Sequence, residues 1–260
     1  MIGQTNRWHL LPLVLLLMLT SMVSVQVAAS ARNDVVILVR SLGYGAGIHH
    51  FKNYVLRGQA KSHVIAKKSF YDALQALNRL EKSPEINPEY QPAIAAIKTM
   101  LKAYDAGLER VAQLRSKGWR LEDIDRSVTV DDSAAIAALE QLRTRWQWSD
   151  LEEIEYQLGY GKGIHNFKNY VLRQQERYHT LALENFLAVE SLIVNRFNTA
   201  RLDDEQREAL QKVGRVIQSY RNYLGLIGRL HAMQRSERQI DLAVKINDGP
   251  ALAGLALLTR

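Results

Sequence analysis

Two sets of the same polar side chains recur in this sequence at one spacing. Leu42 to Arg57 reads LGYGAGIHHFKNYVLR and Leu158 to Arg173 reads LGYGKGIHNFKNYVLR, a register of 116 residues in which two of sixteen positions differ. Each copy carries a histidine, a lysine, an asparagine and an arginine: His49, Lys52, Asn53 and Arg57, then His165, Lys168, Asn169 and Arg173. A glutamine and a second histidine follow at the same offset, Gln59 and His63 in one copy, Gln175 and His179 in the other. Imidazole, ammonium and guanidinium together suit an anion, because charge-assisted hydrogen bonds are roughly twice as strong as neutral ones. A small carboxylate or phosphate is the ligand class that these residues favour.

Other chemistries fit less well. His49, Lys52 and Arg57 supply an acid, a base and an anion clamp, but no set of nucleophile, base and orienting group is visible, so the chain reads as non-enzymatic. On one continuous helix His49 and His63 stand about 21 Å apart, too far to share an ion. No HxxxH or HExxH occurs, so no metal site is expected. The chain has no cysteine, hence no CxxCH haem attachment, disulfide or thiolate site, and no cofactor is implied. The glycines of GYGxG follow no strand and match no phosphate-loop fingerprint. Gly43, Gly45 and Gly47, with Gly159, Gly161 and Gly163, read instead as points of close helix approach or a local kink. Tyr44 and Tyr54 read as rim or packing aromatics.

The elements that hold these groups are helical. Taken at 3–4 spacing, Leu42, Gly45, His49, Lys52, Leu56, Gln59, His63, Ala66 and Phe70 form one row, and the same nine residue types recur from Leu158 to Phe186. A bundle seam is normally apolar, and an unpaired buried polar group costs roughly 1–3 kcal/mol. Two readings of this polar seam stay open: a ligand pocket, or a structural device that fixes register and helix partner. Ile48, Phe51 and Val55 form an apolar strip beside it that packs on another helix.

No strand-like alternation occurs, and the 3.6-residue period dominates, so the expected fold class is all-α. The duplication predicts two tandem antiparallel bundles, four-helix-bundle-like, over 33–142 and 149–258. Each copy is expected to hold three helical pieces. The first spans about Asp34 to Lys82, repeated from Ser149 to about Asn198, where Ser149 and Glu152 fit a capping box. The second starts near Asn87-Pro88 and runs to about Arg115, with an apolar row Ile94, Ile97, Leu101, Tyr104, Leu108, Val111. Its copy carries Leu210, Val213, Ile217, Tyr220, Leu224, Ile227. A loop and a short helix capped at Asp131-Asp132, or at Asn247-Asp248, complete each copy. Ile124, Asp125, Val128 and Asp132 are matched by Ile240, Asp241, Val244 and Asp248.

The N-terminus carries a targeting segment. Arg7 and His9 precede the apolar run Leu10 to Val25, and small residues follow up to Ala31. This pattern predicts a signal peptide over 1–31, cleaved after Ala29 or Ala31, and a periplasmic mature chain. An uncleaved anchor is the alternative, since the run approaches the length of a membrane span. Net charge is +7, but both signs are interspersed and no basic run stands out, so nucleic acid is not expected as a partner. A homodimer is compatible with the sequence.

The motif GYG-x-GIH-x-FKNYVLR, with the later ID-x-x-V-x-[VI]-[DN]-D element, resembles the extracytoplasmic all-helical sensor (input) domains of bacterial signal-transduction proteins. Those domains belong to histidine kinases, diguanylate cyclases and chemotaxis receptors. The resemblance covers nearly all of each repeat, in two copies. It implies a sensory, ligand-binding protein that reports to a membrane-bound signalling partner. Unlike those receptors, nothing resembling a second span, a HAMP-like linker or a kinase, GGDEF or methyl-accepting region follows the last short helix, so the expected architecture is a sensor without an output domain. The competing expectation is a helical structural or interaction module with no ligand.

Overall fold

The computed structural model describes residues 31–259. Among them every regular element is helical, and the chain is all-α. Residues 31–42 form α1, followed by α2 (Gly47–Arg57), α3 (Ala60–Lys82), α4 (Gln91–Ser116), α5 (Leu121–Ser127) and α6 (Ser133–Arg143). The same order recurs as α7 (Asp150–Leu158), α8 (Gly163–Arg173), α9 (Glu176–Thr199), α10 (Asp204–Ala232), α11 (Glu237–Ala243) and α12 (Gly249–Leu258). The expected signal peptide, its cleavage site and the alternative anchor lie outside the described residues. No helix among the described residues is long and apolar enough to cross a membrane.

Local chemistry sets the helix starts. Ser149 and Glu152 form the predicted capping box of α7, and Asp203 with Gln206 and Ser236 with Gln239 form two more. Pro88 opens a 3-10 turn that leads into α4. Ile94, Ile97, Leu101, Tyr104, Leu108 and Val111 are all buried, as are the six matched residues of α10, so the 3–4 rows do face the core.

Two expectations need correction. The stretch from Asp34 to Lys82 is not one helix but three. Gly45 and Gly58 take positive φ, and in the second copy Gly161 and Gln174 do the same. Left-handed residues end α-helices, so each break resets the helical phase, and the row drawn through His49 and Lys52 does not continue to Gln59 and His63. The second correction is the loop expected after the second long helix, which contains α5 and, in the copy, α11.

The two halves are closely joined. Buried apolar residues of both belong to one continuous core. Arg32 pairs with Glu152 at 2.7 Å and Arg40 with Glu155 at 2.8 Å, tying α1 to α7. Where these helices end, backbone meets backbone: a Cβ on Gly159 would lie 3.2 Å from the Cα of Gly43. The glycines at these two positions therefore allow the close approach of equivalent segments. α2 packs on α3, α4 and α5 of its own half and on α8 and α11 of the other. That central placement explains why nine of its eleven residues are buried.

Candidate functional site

The polar groups of the motif meet the later acidic element across the boundary between halves. Arg57 donates to Asp241 through two bonds, Nε to Oδ2 at 2.7 Å and Nη2 to Oδ1 at 2.8 Å. Arg173 faces Asp125 in the same way, at 2.9 and 3.5 Å. His49 Nε2 lies 3.5 Å from Asp248, and His165 Nε2 lies 3.5 Å from Asp132. Every one of these pairs joins a motif residue of one half to a carboxylate of the other, and each has its counterpart 116 residues away.

Apolar packing aims the remaining donors. Phe51 meets Tyr104 edge-on at 4.7 Å between ring centres, and Phe167 meets Tyr220 at 4.8 Å. Phe70 and Phe186 lie against the same two tyrosines. Held between these rings, Tyr104 donates to Asp132 at 2.9 Å and Tyr220 to Asp248 at 2.6 Å, each within its own half. Tyr44 and Tyr160 reach across, to Asp248 and Asp132, both at 2.7 Å. Each of these two carboxylates thus receives one phenol from each half. Capping of the short helices falls to the preceding residues: Asp131 accepts from the Ser133 amide and Asn247 from the Gly249 amide. Within each expected capping pair, Asp131-Asp132 and Asn247-Asp248, the first residue caps and the second is free for the cluster.

The lysines occupy the centre. Lys168 Nζ donates to Asn53 Oδ1 at 2.8 Å, again across the halves. Lys52 has no hydrogen-bond partner among the described residues, and the Oδ1 of Asn169, the counterpart of Asn53, is buried and unpartnered. Lys52 is 2 % exposed and Lys168 4 %. Burial pushes both ammonium groups down to about 8, although Asp125 and Asp132 work the other way on Lys52, as Asp241 and Asp248 do on Lys168. Burial, then the ammonium of the opposite half, holds His49 and His165 well below the ordinary histidine range. Both imidazoles are therefore neutral near pH 7. His165 Nδ1 accepts from the Gly161 amide at 2.9 Å, which assigns its proton to Nε2, the atom facing Asp132.

Burial works against the Arg57 and Arg173 guanidiniums, but their bonds to Asp241 and Asp125 outweigh it and hold both above the usual arginine value. Burial also raises Asp132, more than its phenol bonds lower it. The phenols of Tyr44, Tyr104, Tyr160 and Tyr220 are pushed up by burial and by the adjacent carboxylates, so they stay donors. Four cations (Lys52, Lys168, Arg57, Arg173) face four carboxylates (Asp125, Asp132, Asp241, Asp248). With neutral histidines the cluster balances its own charge. Between the halves lies a gap of about 10 Å³, lined by Tyr44, His49 and Lys52 and by their counterparts Tyr160, His165 and Lys168. It has room for about one water molecule.

The twelve residues singled out in the sequence therefore separate. His49, Lys52, Asn53 and Arg57 join with His165, Lys168, Asn169 and Arg173 at the boundary between halves. Gln59 and Gln175 do not point into a bundle; both are exposed and precede α3 and α9. His63 and His179 are half-buried against Tyr54 and Tyr170, beside Glu109 and Glu176, away from the cluster. Asp125, Asp132, Asp241, Asp248 and Tyr44 were not recognised as members. Their signal was present: the four acids are identities at the 116-residue offset within stretches that otherwise keep only their apolar pattern.

No group of three or more His, Cys, Asp or Glu among the described residues is arranged to hold a metal ion. Comparison of the chain with protein-family models, with curated proteins and with solved structures finds no match.

Proposed function

We propose that the chain is a ligand-responsive helical input module, exported and reporting to a membrane-bound signalling partner, in which the duplicated motif is the interlock between two halves. One observation carries the assignment of the motif: the arginine and first histidine of each copy face carboxylates supplied by the other copy. A ligand pocket made of the same groups would leave them open to an incoming anion. Here the protein fills that role itself, and the remaining gap admits about one water. Buried ion pairs of this kind specify which surfaces meet more than they add net stability. A module that must hold two halves in one relation, and alter that relation on binding, has use for such specificity. Export and the signalling partner rest on the N-terminal segment and on the resemblance to sensor domains.

The alternative, a structural or interaction module without a ligand, is favoured by the small size of the gap between the halves. Catalysis is not part of the proposal, because the same gap leaves no room for a substrate beside His49 or His165. Charge exchange tests the interlock. Arg57→Asp and Asp241→Arg should each lower the unfolding midpoint, and the double variant should recover much of the loss. Additive losses would refute a direct pairing. A thermal-shift screen of small anions tests the ligand: a raised midpoint supports the input module, and no shift with any anion leaves the structural alternative.

A further inference from the structure

The charge-balanced cluster borders a second, larger space that is not balanced. A cleft of about 500 Å³ opens among the ends of α2 and α4, α5 and α11, with Arg57 and Gln59 at its edge. That volume lies within the range of small-molecule sites, roughly 300–1,000 Å³. With the Arg57–Asp241 pair set aside, its lining holds four cations, Arg115, Arg120, Arg238 and Lys245, against two carboxylates, Glu122 and Glu237. Glu122 is bonded to Arg126 at 2.8 Å and lies 3.9 Å from Arg120, so Arg115, Arg238 and Lys245 are the lining cations it does not pair. Arg115 makes no ion pair among the described residues; it donates from Nη2 to the Val55 carbonyl, and its Nε is buried without a partner. Burial, together with the nearby charge of Arg238, lowers the proton affinity of Arg115, the reverse of what a carboxylate partner would do. Two apolar side chains, Trp119 and Leu242, line the same cleft and are 47 % and 67 % exposed.

We infer that this cleft binds a small organic oxyanion, a carboxylate or phosphate ester, held by Arg115 and Arg238 with its apolar part against Trp119. The planar guanidinium fork matches either headgroup, and cation and aromatic together select an organic anion over a bare inorganic one. The second half offers no equivalent. At the matching positions His231 stands for Arg115, Arg235 for Trp119 and Ser236 for Arg120. One ligand per chain follows. The inference rests on the ligand-responsive reading and gives that ligand a place and a chemical class. Because Arg57 belongs both to the cleft wall and to the interlock, occupancy of the cleft acts directly on one of the cross-half pairs.

Isothermal titration calorimetry of the purified chain tests this with phenyl phosphate, benzoate, inorganic phosphate and, as a neutral control, benzyl alcohol. The expected result is saturable binding of phenyl phosphate or benzoate at one site, with inorganic phosphate at least tenfold weaker and benzyl alcohol inert. Which headgroup binds tighter separates phosphate esters from carboxylates. Arg115→Gln should weaken binding at least tenfold, but it also removes the bond to the Val55 carbonyl. Arg238→Gln, at an exposed residue with no ion pair among the described residues, is therefore the second variant and should weaken binding while leaving the unfolding midpoint unchanged. Absence of binding by every anion, or affinities untouched in both variants, would overturn the assignment. Equal binding of phenyl phosphate and inorganic phosphate would overturn its organic part. The interlock is read separately by the Arg57/Asp241 exchange, so loss of the cleft and loss of the interlock give different outcomes.

Discussion

The half of the cluster centred on Lys168 differs from the half centred on Lys52, although the residues are the same. Lys168 is bonded to Asn53, whereas Lys52 has no partner among the described residues and Asn169 keeps an orphan carbonyl oxygen. Arg57 spends its fork on Asp241 alone, whereas Arg173 also reaches Thr129 and Tyr178. At the end of α2 the left-handed residue is Gly58, and at the end of α8 it is Gln174. Identical side chains thus meet unequal surroundings, because the framework around them has drifted. The interlock is what the two copies share, and the cleft is what only one of them has.

The largest expected effect comes from breaking the two arginine pairs separately. Asp241→Ala strands Arg57 and should cost about 3 kcal/mol in urea unfolding, the low end for a broken buried pair. Asp125→Ala should cost less, because Arg173 keeps a phenol and a hydroxyl. Equal costs would show that the surroundings of the two arginines do not matter. The pH dependence comes next. Between about pH 8, where folded Lys52 and Lys168 titrate, and about pH 10.5, where an unfolded lysine does, the unfolded chain holds protons that the folded chain lacks. Stability should therefore rise with pH across that window. The same sign holds for His49 and His165, whose contribution is lost as pH falls below about 6.5. Lys52→Met should remove part of the alkaline rise, as measured by unfolding midpoints from pH 7 upward.

The two lysines sharpen the comparison further. Lys52→Met removes a buried cation that makes no hydrogen bond among the described residues, whereas Lys168→Met also strands Asn53. The first variant should be the more stable by about 1–2 kcal/mol; the reverse order would mean that the bond to Asn53 contributes nothing. The smallest effect is at the helix ends. Gln174→Gly should stabilise by about 1 kcal/mol, since a left-handed non-glycine residue costs about that much. Gly58→Ala should destabilise, because the added Cβ would also lie 2.7 Å from Arg115. Calorimetric midpoints of the two variants test that contrast.

Much of this was legible in the sequence. The buried rows of α4 and α10 follow directly from their 3–4 spacing, and His49 and Lys52 lie on the row read as a seam; Asn53, off that row, is buried because elements of both halves surround α2. The phase beyond Arg57 was not legible. Gly58 is one residue that permits positive φ, but Gln174 takes the same conformation without announcing it. The exposure of Gln59 and Gln175 follows from those two residues. The carboxylates were visible as matched positions, yet a single sequence does not say whether Asp241 faces the arginine of its own half or of the other. That choice is settled by packing of α11 against α2, a long-range fact with no local signature.

The reciprocity of the cluster has a consequence for a chain half as long. The arginine, the first histidine and the first tyrosine of each motif face carboxylates of the other half, so a single repeat carries both sides of a self-complementary surface and can close on a second copy of itself with twofold symmetry. Joining the copies through residues 144–149 turns that association into an intramolecular event at high effective concentration. It also releases the two copies from identity. A true dimer of one sequence must place the same residue in both clefts, whereas the fused chain holds Arg115 in one half and His231 in the other while the surface between them stays matched.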